Sequence, residues 1–158
     1  MYKKLLYAFK MLTNHQRNIA TFIHLSTFSR FLIPFGNFIA PTVLWIMNKE
    51  KSNFIDSHGK QAINFQISIL LYAIIIGTLT IPFFIFNLFS GLNIIDFNSF
   101  NNIHINIGKP SPLLYITGGL GFLAIIGFIL ELIVIVVASL KARDGEIYKY
   151  PLTINFLK

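Results

Sequence analysis

Two long stretches without charge constrain this chain more than any other feature. No Asp, Glu, Lys or Arg occurs from Gln61 to Ile95, and Glu131 is the sole one from Leu113 to Leu140. A helix rising about 1.5 Å per residue needs about 20 apolar residues to cross some 30 Å of hydrocarbon. Both stretches are long enough. Composition points the same way. Charged residues make up 12% of the chain and hydrophobic ones 54%, with 17 Phe, whereas a soluble domain carries about 25% charge. Much of the surface must therefore face lipid. The expected fold is all-α, a polytopic integral membrane helical bundle in one domain.

The two long spans are expected at 61–89 and 113–141. The stretch 19–47 is apolar but broken by Arg30, by "IPFGN" at 33–37 and by Pro41. Pro34 lacks an amide donor and restrains Ile33, while Gly36 is conformationally free. A bend there divides the region into a pair of shorter membrane helices, 16–33 and 38–48. Two full crossings need about 40 residues, more than this stretch offers, so the pair is read as short, tilted or re-entrant.

Residues 1–15 read as an interfacial amphipathic helix, with Leu5, Leu6, Phe9 and Leu12 on one face and lysines snorkelling outward. A secretory signal does not fit, because Lys10 interrupts the apolar run and no small-residue cleavage site follows. Basic residues gather in the N-terminal stretch (Lys3, Lys4, Lys10, Arg17), at 48–60 (Lys49, Lys51, Lys60) and in the tail (Lys141, Arg143, Lys149, Lys158). The 90–112 loop carries Lys109 alone. Positive-inside bias places the three basic regions in the cytoplasm and 90–112 outside. The tail, 142–158, is then a cytoplasmic interfacial segment, and the expected location is a prokaryotic cytoplasmic membrane with both termini inside. The net charge of +7 belongs with anionic headgroups rather than nucleic acid, since the cations sit at the ends of apolar segments.

Polar residues run several turns into the first span. Gln61, Asn64 and Ser68 share a side with Ile75, Thr78 and Pro82 at helical spacing. The last span repeats the pattern with Thr117, Gly121, Ala124, Phe128, Glu131, Ile135, Ala138 and Ala142. Small residues let helices approach and polar ones bond across the contact, so these faces are expected to meet. Gln61, Asn64 and Ser68 form a candidate polar groove. Glu131, near mid-bilayer by helix rise, must be paired, protonated or hydrated. His24 and Arg30 are its candidate partners; depth favours His24, which makes His24 and Glu131 the candidate intramembrane pair. His58 and His104 are expected in solvated loops, and Asp56 or Ser57 is expected to cap a helix starting near His58.

Two segments carry a family resemblance: "IPFGNFIAPTVLWIMNKEKSNFIDSHGKQAINFQISILLY" and "KARDGEIYKYPLTINF". With His24-Leu25-Ser26, their features are Gly36-Asn37, Pro41, Trp45, Lys49, Asp56, His58, Lys60, Ala62, Asn64-Phe65-Gln66, Gly145-Glu146, Tyr148 and Tyr150-Pro151-Leu152. In these the chain resembles a bacterial and archaeal membrane family related to the twenty-kilodalton component of the chloroplast inner-envelope import translocon. The resemblance implies a helical membrane protein and, through the plant relatives, protein translocation.

The absence of cysteine excludes thiolate metal sites and disulfides. The sequence contains no phosphate loop, nucleophile elbow or zinc-protease motif, and its four histidines are scattered. No enzyme activity, metal or cofactor is expected. The leading expectation is an accessory subunit for membrane-protein translocation or assembly, offering the Gln61–Asn64–Ser68 groove to an incoming segment. The alternative is a solute or proton-coupled transporter using His24 and Glu131. Expected partners are membrane lipids and other membrane proteins, or a second copy.

Overall fold

The computed structural model describes residues 12–91 and 112–158. Among these residues the regular structure is entirely helical: α1 Asn14–Leu25, α2 Gly36–Asn48, α3 Asn53–Gly91 and α4 Pro112–Arg143. Short 3-10 turns, Ser26–Phe31 and Lys49–Lys51, continue α1 and follow α2. The expected interfacial helix at 1–15 and loop at 90–112 lie largely outside the described residues, as does His104.

Local chemistry sets the boundaries. Thr13 caps α1 through a reciprocal pair, with its Oγ1 accepting from the Gln16 amide at 3.2 Å and Gln16 Oε1 accepting from the Thr13 amide at 3.1 Å. The chain then reverses at residues 32–35. Phe35 adopts a left-handed φ of 59°, and Gly36 follows it against the 3-10 turn. A Cβ at Gly36 would meet Ser29 Oγ at 2.7 Å and the Ser29 carbonyl closer still, so only glycine closes this corner. α3 begins at Asn53, earlier than expected. Its first turn is capped by Ser52, whose Oγ accepts from the Phe54 amide at 3.1 Å. Asp56 and Ser57 therefore lie within the helix, because the polar 53–60 segment satisfies its own backbone as an added turn and a half. α4 opens on Pro112, where the missing amide is no loss.

The chain divides into two compact units. The first comprises residues up to Leu70 together with Leu130–Lys158; the second is Leu71–Ile129. In the first unit, Ile23, Ile55 and Ala62 form one buried apolar cluster, edged by Ile19, Leu44 and Trp45. Ala20, Phe54 and Ala142 form another, and Phe65, Ile135, Ala138 and Tyr150 a third. Gly59 admits Trp45: a Cβ there would lie 2.8 Å from that of Trp45. After Gly145, with φ 84°, residues 146–158 run extended and through turns along α3.

In the second unit, the described side chains of α3 and α4 are mostly exposed. Thr78 and Thr80 return their hydroxyls to Ile74 and Ile76 carbonyls at 2.7 and 2.9 Å. The expected close packing along Gly121 and Ala124 does not occur among the described residues: Ala124 is exposed, and a Cβ at Gly118, Gly119, Gly121 or Gly127 would touch nothing. The lower half of the same stripe, Ile135, Ala138 and Ala142, is fully buried. Periodicity defined the stripe, but the bulkier neighbours needed to fill it are present only at the lower end.

Two helices, over Asn53–Pro82 and Gly118–Arg143, are long and apolar enough to cross a membrane. A core helix of a soluble protein would be mostly covered, yet only 11% of the most apolar stretch of the second is buried. The first unit is also inverted relative to a soluble domain. It buries His24, Thr27, His58, Asn64, Gln66, Ser68, Glu131 and Ser139 while exposing Phe22, Phe31, Leu32, Phe35, Val43 and Met47. Polar groups inside and hydrocarbon outside is the arrangement that lipid solvates, and this is a membrane protein.

Candidate functional site

The buried polar side chains of the first unit fall into separate hydrogen-bonded assemblies. At the reversal after α1, the 3-10 turn aims Arg30 at Glu131 on α4. Nη1 donates to Glu131 Oε2 at 3.1 Å and Nη2 donates to Oε1 in a still closer ion pair. Arg30 Nη2 also donates to Gln66 Oε1 at 2.8 Å, and Asn37 Nδ2 reaches the same oxygen at 2.8 Å. One carboxylate and one amide thus tie the α1–α2 corner to both long helices. Glu131 is almost fully covered, whereas Arg30 retains an exposed edge.

This placement corrects the expected partnership of His24 with Glu131. Depth along the helices favoured His24, but the guanidinium is longer and forks, so it reaches Glu131 from the next turn of the chain. His24 is instead engaged on both nitrogens. Its Nε2 lies 2.8 Å from His58 Nδ1, and its Nδ1 lies 2.7 Å from the Tyr150 hydroxyl. His58, expected in a solvated loop, is fully buried, with the Phe54 ring at 4.3 Å. Tyr150 stacks on Phe65 at 4.2 Å. His58 Nε2 has no hydrogen-bond partner among the described residues, and the imidazole tautomers set which group donates along the Tyr150–His24–His58 chain.

The third assembly occupies the expected groove. Asn64 Nδ2 donates to the Leu157 carbonyl at 3.0 Å while its Oδ1 accepts from the Leu157 amide at 2.8 Å. Ser68 Oγ accepts from the Ile154 amide at 2.9 Å and donates to the Asn64 carbonyl at 2.7 Å. Asn64 and Ser68 are therefore buried beneath the chain's own tail, and Gln61 lies half-buried at the margin. The groove is filled because an extended tail brings backbone groups that must be satisfied wherever they leave water. Nearer the basic end, Trp45 Nε1 donates to Asp56 Oδ1 at 2.9 Å, and Lys60 pairs with Asp56 at 2.6 Å.

The sequence offers Arg30 behind His24, places His58 in a solvated loop and names Tyr150 only within the family resemblance; nothing local marks Tyr150 as the partner of His24, 126 residues away. Among the described residues no group of three or more His, Asp or Glu side chains is placed to hold a metal ion.

Fold and site together define a helical membrane protein whose buried polar residues bond with one another. The chain belongs to the MamF/MmsF family, described as the magnetosome magnetite crystal formation protein family, which it matches over residues 15–157. Searches of curated proteins and of solved structures find no match. The family match overturns the expected resemblance to the import-translocon relatives. It also overturns the functions attached to that resemblance and to its alternative, membrane-protein translocation and solute transport. The residues that suggested the resemblance hold this fold together: Gly36 closes the corner, Asn64 and Gln66 satisfy internal partners, and Tyr150 anchors the tail. Such roles identify a helical membrane protein without specifying its task.

Proposed function

We propose that this chain is a multi-pass component of a membrane that bounds growing magnetite crystals, and that its contribution is architectural rather than catalytic. Membership in the magnetite crystal formation family carries the reading. It is supported by the use of Arg30, Glu131, Gln66, Asn64 and Ser68 as internal fasteners, which suits a stable membrane element. In this reading α3 and α4 cross the bilayer. α1 and α2, roughly 18 and 20 Å long by helix rise, form a re-entrant pair whose tip at Leu32 and Phe35 rests in acyl chains. The basic ends at 49–60 and 141–149 lie on the cytoplasmic side.

The test is complementation in a magnetite-forming bacterium deleted for its own members of this family. The tagged chain should enter the crystal-bounding membrane and restore crystal number and size in electron micrographs. An Arg30→Ala variant should restore them poorly and accumulate less. A wild-type chain that inserts stably and leaves the crystals as defective as in the deletion strain overturns the proposal.

A further inference from the structure

We propose that the C-terminal strap, residues 146–158, is a lipid-binding element that dips its apolar tip into one leaflet and selects anionic headgroups through Lys149 and Lys158. The proposal rests on the membrane embedding of the chain and is independent of the mineral role.

The strap has two faces with different fates. Tyr150 is buried against Phe65 and His24, and the Ile154 and Leu157 backbone is held by Ser68 and Asn64. The opposite side chains, Ile147, Leu152, Ile154 and Phe156, are exposed, Leu152 by 84%. The path of the backbone places this apolar row below the polar end of the helices. The strap leaves the end of α4 at Gly145, passes Ser68 at Ile154, then returns to Asn64 at Leu157. Ser68 lies about 12 Å beyond Lys60 by helix rise, which is the depth of the upper acyl chains when Lys60 sits among headgroups. The strap turns at Pro151 and Leu152, where Leu152 takes a left-handed φ of 56°. An exposed leucine at a strained turn, facing out at that depth, meets lipid.

Charge complementarity fixes the lipid. Four of the five described acidic side chains are matched within the chain: Asp56 by Lys60, Glu131 by Arg30, Asp144 by Arg143 and Glu146 by Lys141. The side-chain charges left unmatched at the strap are those of its two lysines. Lys149 and Lys158 are exposed and have no carboxylate within ion-pair distance among the described residues. Lys49 and Lys51, also exposed, lie over the Trp45 ring and against Asn48 Oδ1 respectively. Cations flanking an inserted apolar tip bind anionic headgroups while the tip is buried, the same pairing that anchors interfacial amphipathic segments.

The full chain, which contains no cysteine, accepts a single spin label at Leu152→Cys. In nanodiscs of phosphatidylcholine with phosphatidylglycerol, the label should be accessible to oxygen and shielded from a water-soluble nickel chelate. Native mass spectrometry of the unlabelled chain should show phosphatidylglycerol retained over phosphatidylcholine. Each lysine should contribute about a fivefold preference, so the Lys149→Gln/Lys158→Gln variant should lose most of it. A label at 152 open to the chelate overturns the inserted tip, and undiminished phosphatidylglycerol retention in the double variant overturns the headgroup site. Either result leaves the crystal complementation assay unaffected.

Discussion

Removing the cation from the Arg30–Glu131 pair leaves a buried carboxylate without its partner. Such a change costs about 3–5 kcal/mol, whereas replacing both members with apolar residues of similar volume is often close to neutral. Arg30→Ala should therefore lower the thermal midpoint in detergent far more than Glu131→Gln, whose amide still accepts from Arg30. Arg30→Met combined with Glu131→Leu should recover most of the loss.

At the level of elements, the tail is a structural member of the helical unit. Tyr150→Phe deletes the hydroxyl on His24 and should cost about 1–3 kcal/mol, the usual penalty for a buried polar group left unpaired. Truncation after Glu146 should cost more, because it also uncovers Asn64 and Ser68; denaturation in detergent compares the two. Gly59→Ala should displace Trp45 and loosen α2 from α3, seen as a red shift of the lone tryptophan's fluorescence. Here the limits of sequence reading are concrete. The polar face at 61–68 and the bend after Arg30 are visible in periodicity and in the proline and glycine pattern, because both are local. What the face meets is not visible. Asn64 bonds to Leu157, 93 residues away, and Arg30 to Glu131, 101 residues away. Helical spacing encodes which side of a helix is wet and carries no information about which distant segment covers it. His58 was misplaced for a related reason: a charged neighbourhood suggested solvent, but α3 begins early enough to fold that neighbourhood inward.

For the molecule as a whole, the inversion of polarity governs behaviour. Its exterior of Phe22, Phe31, Leu32, Phe35 and the outward residues of α3 and α4 needs an apolar solvent, so transfer to detergent-free buffer should aggregate the chain at any pH. Its interior is secured by directional bonds rather than by a large apolar core, which is why single polar substitutions are expected to matter more here than trimming exposed leucines. The ion pair also imposes an order of events during biosynthesis. Arg30 leaves the ribosome long before Glu131 has been made, so a nascent guanidinium must remain hydrated, or be sheltered by the insertion machinery, until the last helix arrives. The corner at Arg30 therefore closes only once α4 has been made, and a ribosome stalled ahead of that helix should leave Arg30 open to water-soluble reagents.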